Sequence, residues 1–500
     1  MSARRSLAEL PARIDLLIIG GGITGAGIFN VVAAQGSRLL LVDQNDFASG
    51  TSSWSSKLVH GGLRYLKSGQ WRLTLESVRE RNRLLRDRAG LVERQPFLMP
   101  VYAGQKPGLG VLRAGLAVYD AMGGERSSRR LTAEEALRLE PGLRREGLIG
   151  AVSYDDARTD DARLTLQLIL EARSATATAL NYCRVVELLR RADRVVGVRL
   201  EDRLSGEQRD IETAVVINAA GVDAASLPGA PAGAPNLRPL RGSHLIFPLD
   251  RLPLGRAVSW LHPRDRRPVF VYPWEGVALL GTTDVDHAPG TPMRISEEET
   301  GYLMEALHHQ FPQCSLTATD AFATTAGIRP IVAGGKADPS AESRESAIWS
   351  SPGWVGITGG KLTTFRTTAQ QVLKRVAQQT PLMAQSVSSA GLPPSGRLAA
   401  RYGDGFEASA ASVPDDASIP GTPYRWSELR WAAAQEAVVH LEDLMMRRLR
   451  LSLLLKDGGE SLLPQIEPIC RAALGWDAAR WTAEADAYLR VRAQLHAIAA

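Results

Sequence analysis

The segment Ile14–Ile19 is apolar apart from Asp15 and runs straight into Gly20-Gly21-Gly22-Ile23-Thr24-Gly25. Such a run suits a short strand buried on both faces. The glycines then turn the chain, Ile23–Gln35 reads as a helix and Arg38–Val42 as a second strand, which together make a βαβ unit. In this register Gly20 permits the tight turn, Gly22 lets the backbone approach a pyrophosphate, and Gly25 lets the helix pack on the strand. The helix N-terminus, with Thr24 in its first turn, offers N–H groups to the anion. Asp43 ends the second strand, where it can accept a hydrogen bond from a ribose hydroxyl. The pattern predicts a dinucleotide site, but it does not separate NAD from FAD, because both carry ADP.

The chain has 500 residues, 44% of them apolar and 23% charged. That balance excludes a wholly disordered chain, a collagen-like chain and a disulfide scaffold, and the length suggests about three folding units. Lys+Arg is 59 against Asp+Glu 54, a net charge of +5 that is weak support for a polyanionic partner. Cys183, Cys314 and Cys470 fit neither a zinc site nor a redox pair, so a reducing compartment is the default. No metal is expected. Ala3-Arg4-Arg5-Ser6 is similar to a twin-arginine start, but Glu9 and Arg13 interrupt any apolar stretch behind it, and no signal peptide is expected. Residues 16–37 carry no charge, yet their six glycines suit a strand, turn and helix better than a membrane span.

Further along, Leu73–Arg88 has the leucine spacing of an amphipathic helix. Ala214–Ile217 reads as a strand entering Asn218-Ala219-Ala220-Gly221, and Pro268–Tyr272 with Val277–Leu280 as an antiparallel pair. Trp354–Thr358 reads as a strand, Gly359-Gly360 as a turn and Leu362–Gln379 as a helix. The loop-rich stretch 385–425 reads as a linker, with helices at Glu428–Arg450 and Asp477–His496 beyond it. No solenoid repeat is apparent.

Two other stretches invite chemistry. Ser49–Leu66 supplies hydroxyls and glycines that can approach a flat ligand, although a surface loop is its plainer reading taken alone. Gly359-Gly360-Lys361-Leu362-Thr363-Thr364-Phe365-Arg366 offers a second anion-friendly helix start without Walker A spacing. With these residues in this order, the sequence resembles the FAD-dependent sn-glycerol-3-phosphate dehydrogenases of the quinone-linked respiratory type. The resemblance covers about residues 14–375 and extends more loosely to the C-terminal region. It rests on Asp15–Gly27, Thr51–Leu66, Asp160–Leu164, Ile217–Gly221, Arg241–His244, Gly281–Asp284, Gly327–Pro330, Ser343–Glu345 and Gly359–Arg366. Two departures stand out: Val222-Asp223 replaces the family's Pro-Trp, and Arg241 stands where Lys is commoner.

The resemblance implies an α/β fold. A discontinuous FAD-binding Rossmann-like domain (14–95, 150–230, 320–380) would carry an inserted antiparallel-sheet substrate domain (96–149, 231–319). A linker (381–425) and a helical C-terminal cap (426–500) would follow. It implies FAD held by Gly20, Gly22, Thr24, Gly25, Asp43, Thr51, Ser52, Ser55, Ser56, Lys57, Gly221, Gly360, Lys361, Leu362 and Thr363. Arg329 and Arg344 become the clamp for the phosphate of glycerol 3-phosphate, with Arg64 as a third contact and Tyr65 in the same pocket. Permanently charged, planar guanidinium groups suit a phosphate. His60 and His244 are the candidate bases, and Lys361 would orient the substrate oxygen or stabilise its developing charge. The helix after Gly360 would aim its N-terminal dipole at the flavin pyrimidine edge.

Electrons would pass to a membrane quinone, with the protein cytoplasmic and peripheral on the inner face of the cytoplasmic membrane; a homodimer stays open. Met445–Lys456 and Leu112–Met122 are candidate docking faces, although a core-facing helix is the plainer reading of each. Competing readings are an oxidase that returns electrons to oxygen and a flavin-bearing nucleic-acid-binding protein. The second is disfavoured by the interspersed acids, as in Arg79–Arg88, so no nucleic acid is expected.

Overall fold

The computed structural model describes residues 4–34, 36–63, 69–288, 290–336, 342, 344–380, 396–403, 405–411 and 416–498. The first apolar run forms the strand Arg13–Ile19, between Gln208–Asn218 on one side and Leu39–Val42 on the other, both parallel to it. Ala177–Leu180 extends the sheet beyond Leu39–Val42, and Trp354–Gly359 extends it beyond Gln208–Asn218, again in parallel. The antiparallel strand Ser346–Ser351 closes that edge. The hairpin Cys183–Arg191 and Arg194–Asp202 joins antiparallel to the outer half of Gln208–Asn218. Leu16 and Ile18 pack into one core, and Leu17 and Ile19 into another on the opposite face. This two-sided burial is why the run lacks polar alternation.

The helices Ile23–Ala33, Asp161–Ala172 and Phe365–Ala377 cover one face of this sheet. A Cβ on Gly27 would lie 2.6 Å from the Phe365 ring, so that glycine lets the first and last of these helices run in contact.

A second, mostly antiparallel sheet of ten strands holds Val92–Tyr102, Leu148–Thr159, Leu237–Pro248, Ala257–Leu261, Pro268–Trp274, Val277–Gly281 and Ala323–Val332 among its members. The expected antiparallel pair is present as Pro268–Trp274 with Val277–Gly281. The sheet boundary differs from the expected domain division. Leu148–Thr159 pairs along its length with Val92–Tyr102, and Ala323–Val332 with Leu237–Pro248. Both therefore belong to the second sheet rather than to the nucleotide unit, because strand pairing, not sequence order, assigns them.

The stretch expected as a linker also differs. Residues 381–395 and 412–415 lie outside the described residues, but Arg397–Tyr402 and Gly405–Ala410 are short helices. Tyr402 stacks on Phe406 at 4.7 Å, and Arg401 is buried against Tyr424 and Asp160. The helix expected over Glu428–Arg450 is broken. Trp426–Gln435 ends before Ala437, whose φ is +52°, and a wide turn over Asp443–Arg448 precedes Arg450 at φ +57°. The helix expected over Asp477–His496 is present as Ala478–His496, and Asp477 caps it by accepting the Arg480 N–H at 2.7 Å.

The C-terminal helices share a core with the second sheet, where Tyr154, Tyr272 and Trp274 pack among Leu429, Met445 and Leu449. Their hold on the nucleotide unit is ionic and buried. Asp46 accepts from Arg447 Nε (2.5 Å) and Arg448 Nη2 (3.0 Å), and Glu436 takes Arg163 through two bonds of 2.7 and 2.5 Å. Burial alone lifts an aspartate, but the Arg448 and Arg447 guanidinium groups outweigh it and hold Asp46 down at about 2.

Removing one partner of such a pair leaves charge stranded and costs about 3–5 kcal/mol. Asp46→Ala should therefore destabilise the protein by that order at neutral pH, read by chemical denaturation. The native pKa of about 2 lies below the ordinary 3.8. The contribution is thus complete above pH 3.8 and is lost as pH falls through 2, so the gap between wild type and variant should close in that window. A gap that persists unchanged in acid, or no gap at neutral pH, would refute the assignment.

Candidate functional site

Gly20 has φ +104°, and a Cβ there would sit 2.5 Å from Ala219 O; a Cβ on Gly25 would sit 1.9 Å from Gly20 O. Only glycine fits either position, and the result is a bare backbone cradle at the C-terminal end of the central strand. The first helical bond runs from Ala26 N–H to Gly22 O (2.9 Å), so the N–H groups of Thr24 and Gly25 lie ahead of the helical ladder. Ser52 Oγ accepts the Ile23 N–H at 2.8 Å. Asp43 accepts the N–H groups of Gly21 (2.7 Å) and Asn45 (2.8 Å), which fixes its carboxylate at the end of the second strand. Burial raises that carboxyl to about 7 against the lowering effect of these two bonds.

A second turn lies beside the first. Gly359 and Gly360 have φ +77° and +83°, and Leu362–Thr364 forms a single 3₁₀ turn ahead of the helix Phe365–Ala377. Thr358 Oγ1 donates to Gly221 O (2.7 Å), and Thr363 Oγ1 to His60 O (3.3 Å). The glycine-rich ends of three parallel strands are thereby gathered: Gly20 after the first, Gly221 after Gln208–Asn218 and Gly360 after Trp354–Gly359. Val222-Asp223 completes a 3₁₀ turn with Gly221, with Asp223 exposed to solvent.

The hydroxyl-rich loop lies between the two sheets. Thr51 Oγ1 donates to Ile328 O (2.6 Å), and Ser56 Oγ meets His244 Nε2 at 2.9 Å. Ser55 donates to Asp161 Oδ2 through N–H (2.9 Å) and Oγ (2.7 Å). Lys57 is wholly buried, and its Nζ donates to Asp161 Oδ1 (2.9 Å) and Ser53 O (3.0 Å). Burial, with Arg450 nearby, lowers Lys57 to about 8 against the pull of Asp161.

Arg329 and Arg344 come together on one carboxylate. Arg329 Nη1 donates to Asp284 Oδ1 at 2.9 Å and Arg344 Nη2 to Asp284 Oδ2 at 2.7 Å. Arg329 is anchored further by Thr283 O (3.1 Å) and Thr282 Oγ1 (2.9 Å). Register places it opposite Leu240, next to Gly242, where a Cβ would lie 2.0 Å from Arg329 Nη2. Arg344 is buried, and its Nε and Nη1 have no hydrogen-bond partner among the described residues. Orphaned donors of this kind on a charged side chain fit an anion. Arg241 pairs with Glu299 at 2.7 Å, which anchors it away from this task.

Of the other candidates, His244 is wholly buried, and its Nδ1 also meets Thr325 Oγ1 at 3.3 Å. Burial, with the Arg329 and Lys57 charges, drives it well below the ordinary histidine range, so it is neutral at pH 7. His60 and Lys361 are half-exposed, and Lys361 Nζ reaches Ser77 Oγ at 3.3 Å. Arg64 and Tyr65 lie outside the described residues. The sequence reading missed Asp284 and Asp161 as organising acids, although both lie in stretches that carried the resemblance. It gave no role to Arg450, whose apolar neighbours read as a docking face.

Two family models match the chain: FAD dependent oxidoreductase over residues 15–366, and the C-terminal domain of alpha-glycerophosphate oxidase over residues 356–481. The chain is 34% identical over 482 residues to the aerobic glycerol-3-phosphate dehydrogenase of Staphylococcus aureus, covering 87% of this chain and 86% of the relative. A glycerol-3-phosphate dehydrogenase from Bacillus halodurans complexed with FAD superposes with a TM-score of 0.77 at 28% identity, covering 97% of this chain and 95% of that one. The L-alpha-glycerophosphate oxidase of Mycoplasma pneumoniae shares the fold over 76% of this chain, with a TM-score of 0.59 and 19% identity.

The glycine cradle fits the ADP end of FAD. Gly25→Ala should displace the Gly20 carbonyl and yield protein that loses its flavin on desalting, read by absorbance. Full flavin retention in that variant would contradict the cradle.

Proposed function

Because the chain belongs to the FAD-dependent glycerol-3-phosphate dehydrogenases, we propose that it oxidises sn-glycerol 3-phosphate to dihydroxyacetone phosphate and delivers the electrons to a membrane quinone. The observation that carries this reading is the buried Arg344, with two unsatisfied donor nitrogens, joined to Arg329 through Asp284. A phosphate dianion satisfies those donors. Bound FAD would supply the hydride acceptor, and the glycine turns with the loop that carries Thr51, Ser52, Ser55, Ser56 and Lys57 would hold it.

The hydroxyl proton needs an accessible base, and a positioned one contributes about 10²–10⁴-fold. His60 meets that need better than His244. His60 is half-exposed, whereas His244 is enclosed and, held well below the ordinary histidine range by burial and the Arg329 and Lys57 charges, is a weak proton acceptor. His244 then fixes the Ser56 hydroxyl, and Lys361 stabilises charge developing on the substrate oxygen.

Quinone chemistry requires a membrane surface, and among the described residues no helix is long and apolar enough to cross a bilayer. Met445–Lys456 does not serve as a docking face: Met445, Leu449, Leu451 and Leu453 are wholly buried, and its arginines are spent on internal pairs. The helix Leu109–Gly123 is the better surface. Val111 (66% exposed) and Val118 (38%) stand out on it, with Ala114, Ala117 and Ala121 also exposed, and Trp71 (52%) emerges from the helix packed beside it. Arg113 is exposed on the helix itself, and Arg72, next to Trp71, and Arg126, just past the helix end, are exposed as well. An apolar face with basic flanks suits an anionic bilayer, here the inner face of the cytoplasmic membrane.

Anaerobic glycerol 3-phosphate should bleach the flavin band. Arg344→Ala should raise the substrate concentration needed by about 30-fold, for a charge-assisted contact worth about 2 kcal/mol. An unchanged requirement would remove the clamp. Peroxide released at the turnover rate without quinone would move the acceptor to oxygen. The pair Val111→Glu and Val118→Glu should cut sedimentation with anionic vesicles about tenfold while leaving the bleaching intact; undiminished sedimentation would exclude this helix.

A further inference from the structure

The loop Thr51–Lys57 touches the nucleotide helix through Ser52 and the second sheet through Thr51 and Ser56. Tyr272 Oη and Thr159 N–H also hold it at Ser56 O (2.7 Å) and Lys57 O (2.9 Å), Arg450 Nη1 reaches Ser53 O at 3.4 Å, and Asp161 takes both donors of Ser55 on one oxygen and Lys57 Nζ on the other. That second oxygen also accepts Arg450 Nη2, a group supplied by the C-terminal helical region. Arg450 Nε pairs with Asp160 Oδ1 at 3.0 Å, and its Nη1 donates to Met446 O at 3.1 Å. The guanidinium is wholly buried. Its backbone, at φ +57°, adopts the left-handed region that a non-glycine residue occupies at a cost of about 1 kcal/mol or more. A strained backbone and a buried cation persist together only where the side chain is firmly held.

We propose that Arg450 is a positioning residue for the cofactor: through Asp161 it sets Ser55 and, with it, the loop that faces the flavin. The inference rests on the reading of that loop as cofactor-binding. Asp160 and Asp161 are adjacent, wholly buried and repel one another. Arg401 reaches Asp160 at 3.3 Å, and Lys57 alone would remain on Asp161. Arg450 spans both acids, and its bond to Asp161 fixes the carboxylate that accepts the two Ser55 donors. The C-terminal domain thereby bears on the loop through Asp161.

The test uses the flavin-loaded protein and the variants Arg450→Lys and Ser55→Ala, singly and combined. FAD release after dilution is followed by flavin fluorescence, and flavin geometry by visible circular dichroism. Arg450→Lys should speed release about tenfold and change the visible spectrum. In the Ser55→Ala background the same substitution should add clearly less than tenfold, because the hydroxyl bond to Asp161 is gone and the backbone N–H bond alone carries the link. Fully multiplicative effects, or a lowered melting temperature with wild-type release and spectrum, would overturn the proposal. Should Arg450→Lys not fold, Asp161→Asn supplies the same comparison: faster release supports the relay, and wild-type release overturns it. Wild-type protein that binds no FAD would instead sink the cofactor reading itself.

Discussion

Asp46, Asp160, Asp161 and Glu436 are buried carboxylates, and each meets at least one arginine that arrives from a distant part of the chain. An unpaired ion in such surroundings costs several kcal/mol, so the C-terminal region cannot dock loosely or in another register. Apolar packing of Met445 and Leu449 against Tyr272 and Trp274 supplies affinity that tolerates sliding. The ion pairs remove that tolerance. The loop that carries Ser55 and Lys57 inherits the resulting order, since Asp161 belongs both to the interdomain pairs and to the loop.

The same economy of space brings two helix starts together. The parallel strands end in glycine turns on one edge, and the contact of Gly27 with Phe365 lets the helices behind those turns lie side by side. Two sets of N–H groups and two aligned peptide dipoles then face a common cleft, an arrangement suited to an anionic cofactor. The second sheet contributes by register. Pairing of Leu237–Pro248 with Ala323–Val332 sets His244 opposite Thr325 and brings the Arg329 guanidinium over Gly242.

Arginine thus has two distinct uses in this protein. Arg447, Arg448 and Arg450 are consumed within the interior, where their charge is cancelled. Arg329 and Arg344 share one acid, and Arg344 keeps donors in reserve. A site for a phosphoester needs this second kind: a cation held rigidly, with donors still to give.

Short-range features of the chain were legible because backbone geometry decides them. Glycine at positions 20, 22 and 25 after an apolar run specifies a strand, a tight turn and a helix start whatever surrounds them, and Asp477 caps its helix by local bonding. The stretches that hold Ser52 and Thr363 were legible as turns beside a helix start, and the structure ties those residues to Ile23 N–H and His60 O. Met445–Lys456 was not legible, since arginines among leucines describe a bilayer-facing helix and a buried, ion-paired segment equally well. Only the arrival of Asp46, Asp160 and Asp161 settles which it is, and those acids lie about 290–400 residues away along the chain. Strand pairing carries the same lesson: hydrogen bonds between strands are made across space, so Leu148–Thr159 joined the second sheet on grounds that no local pattern expresses.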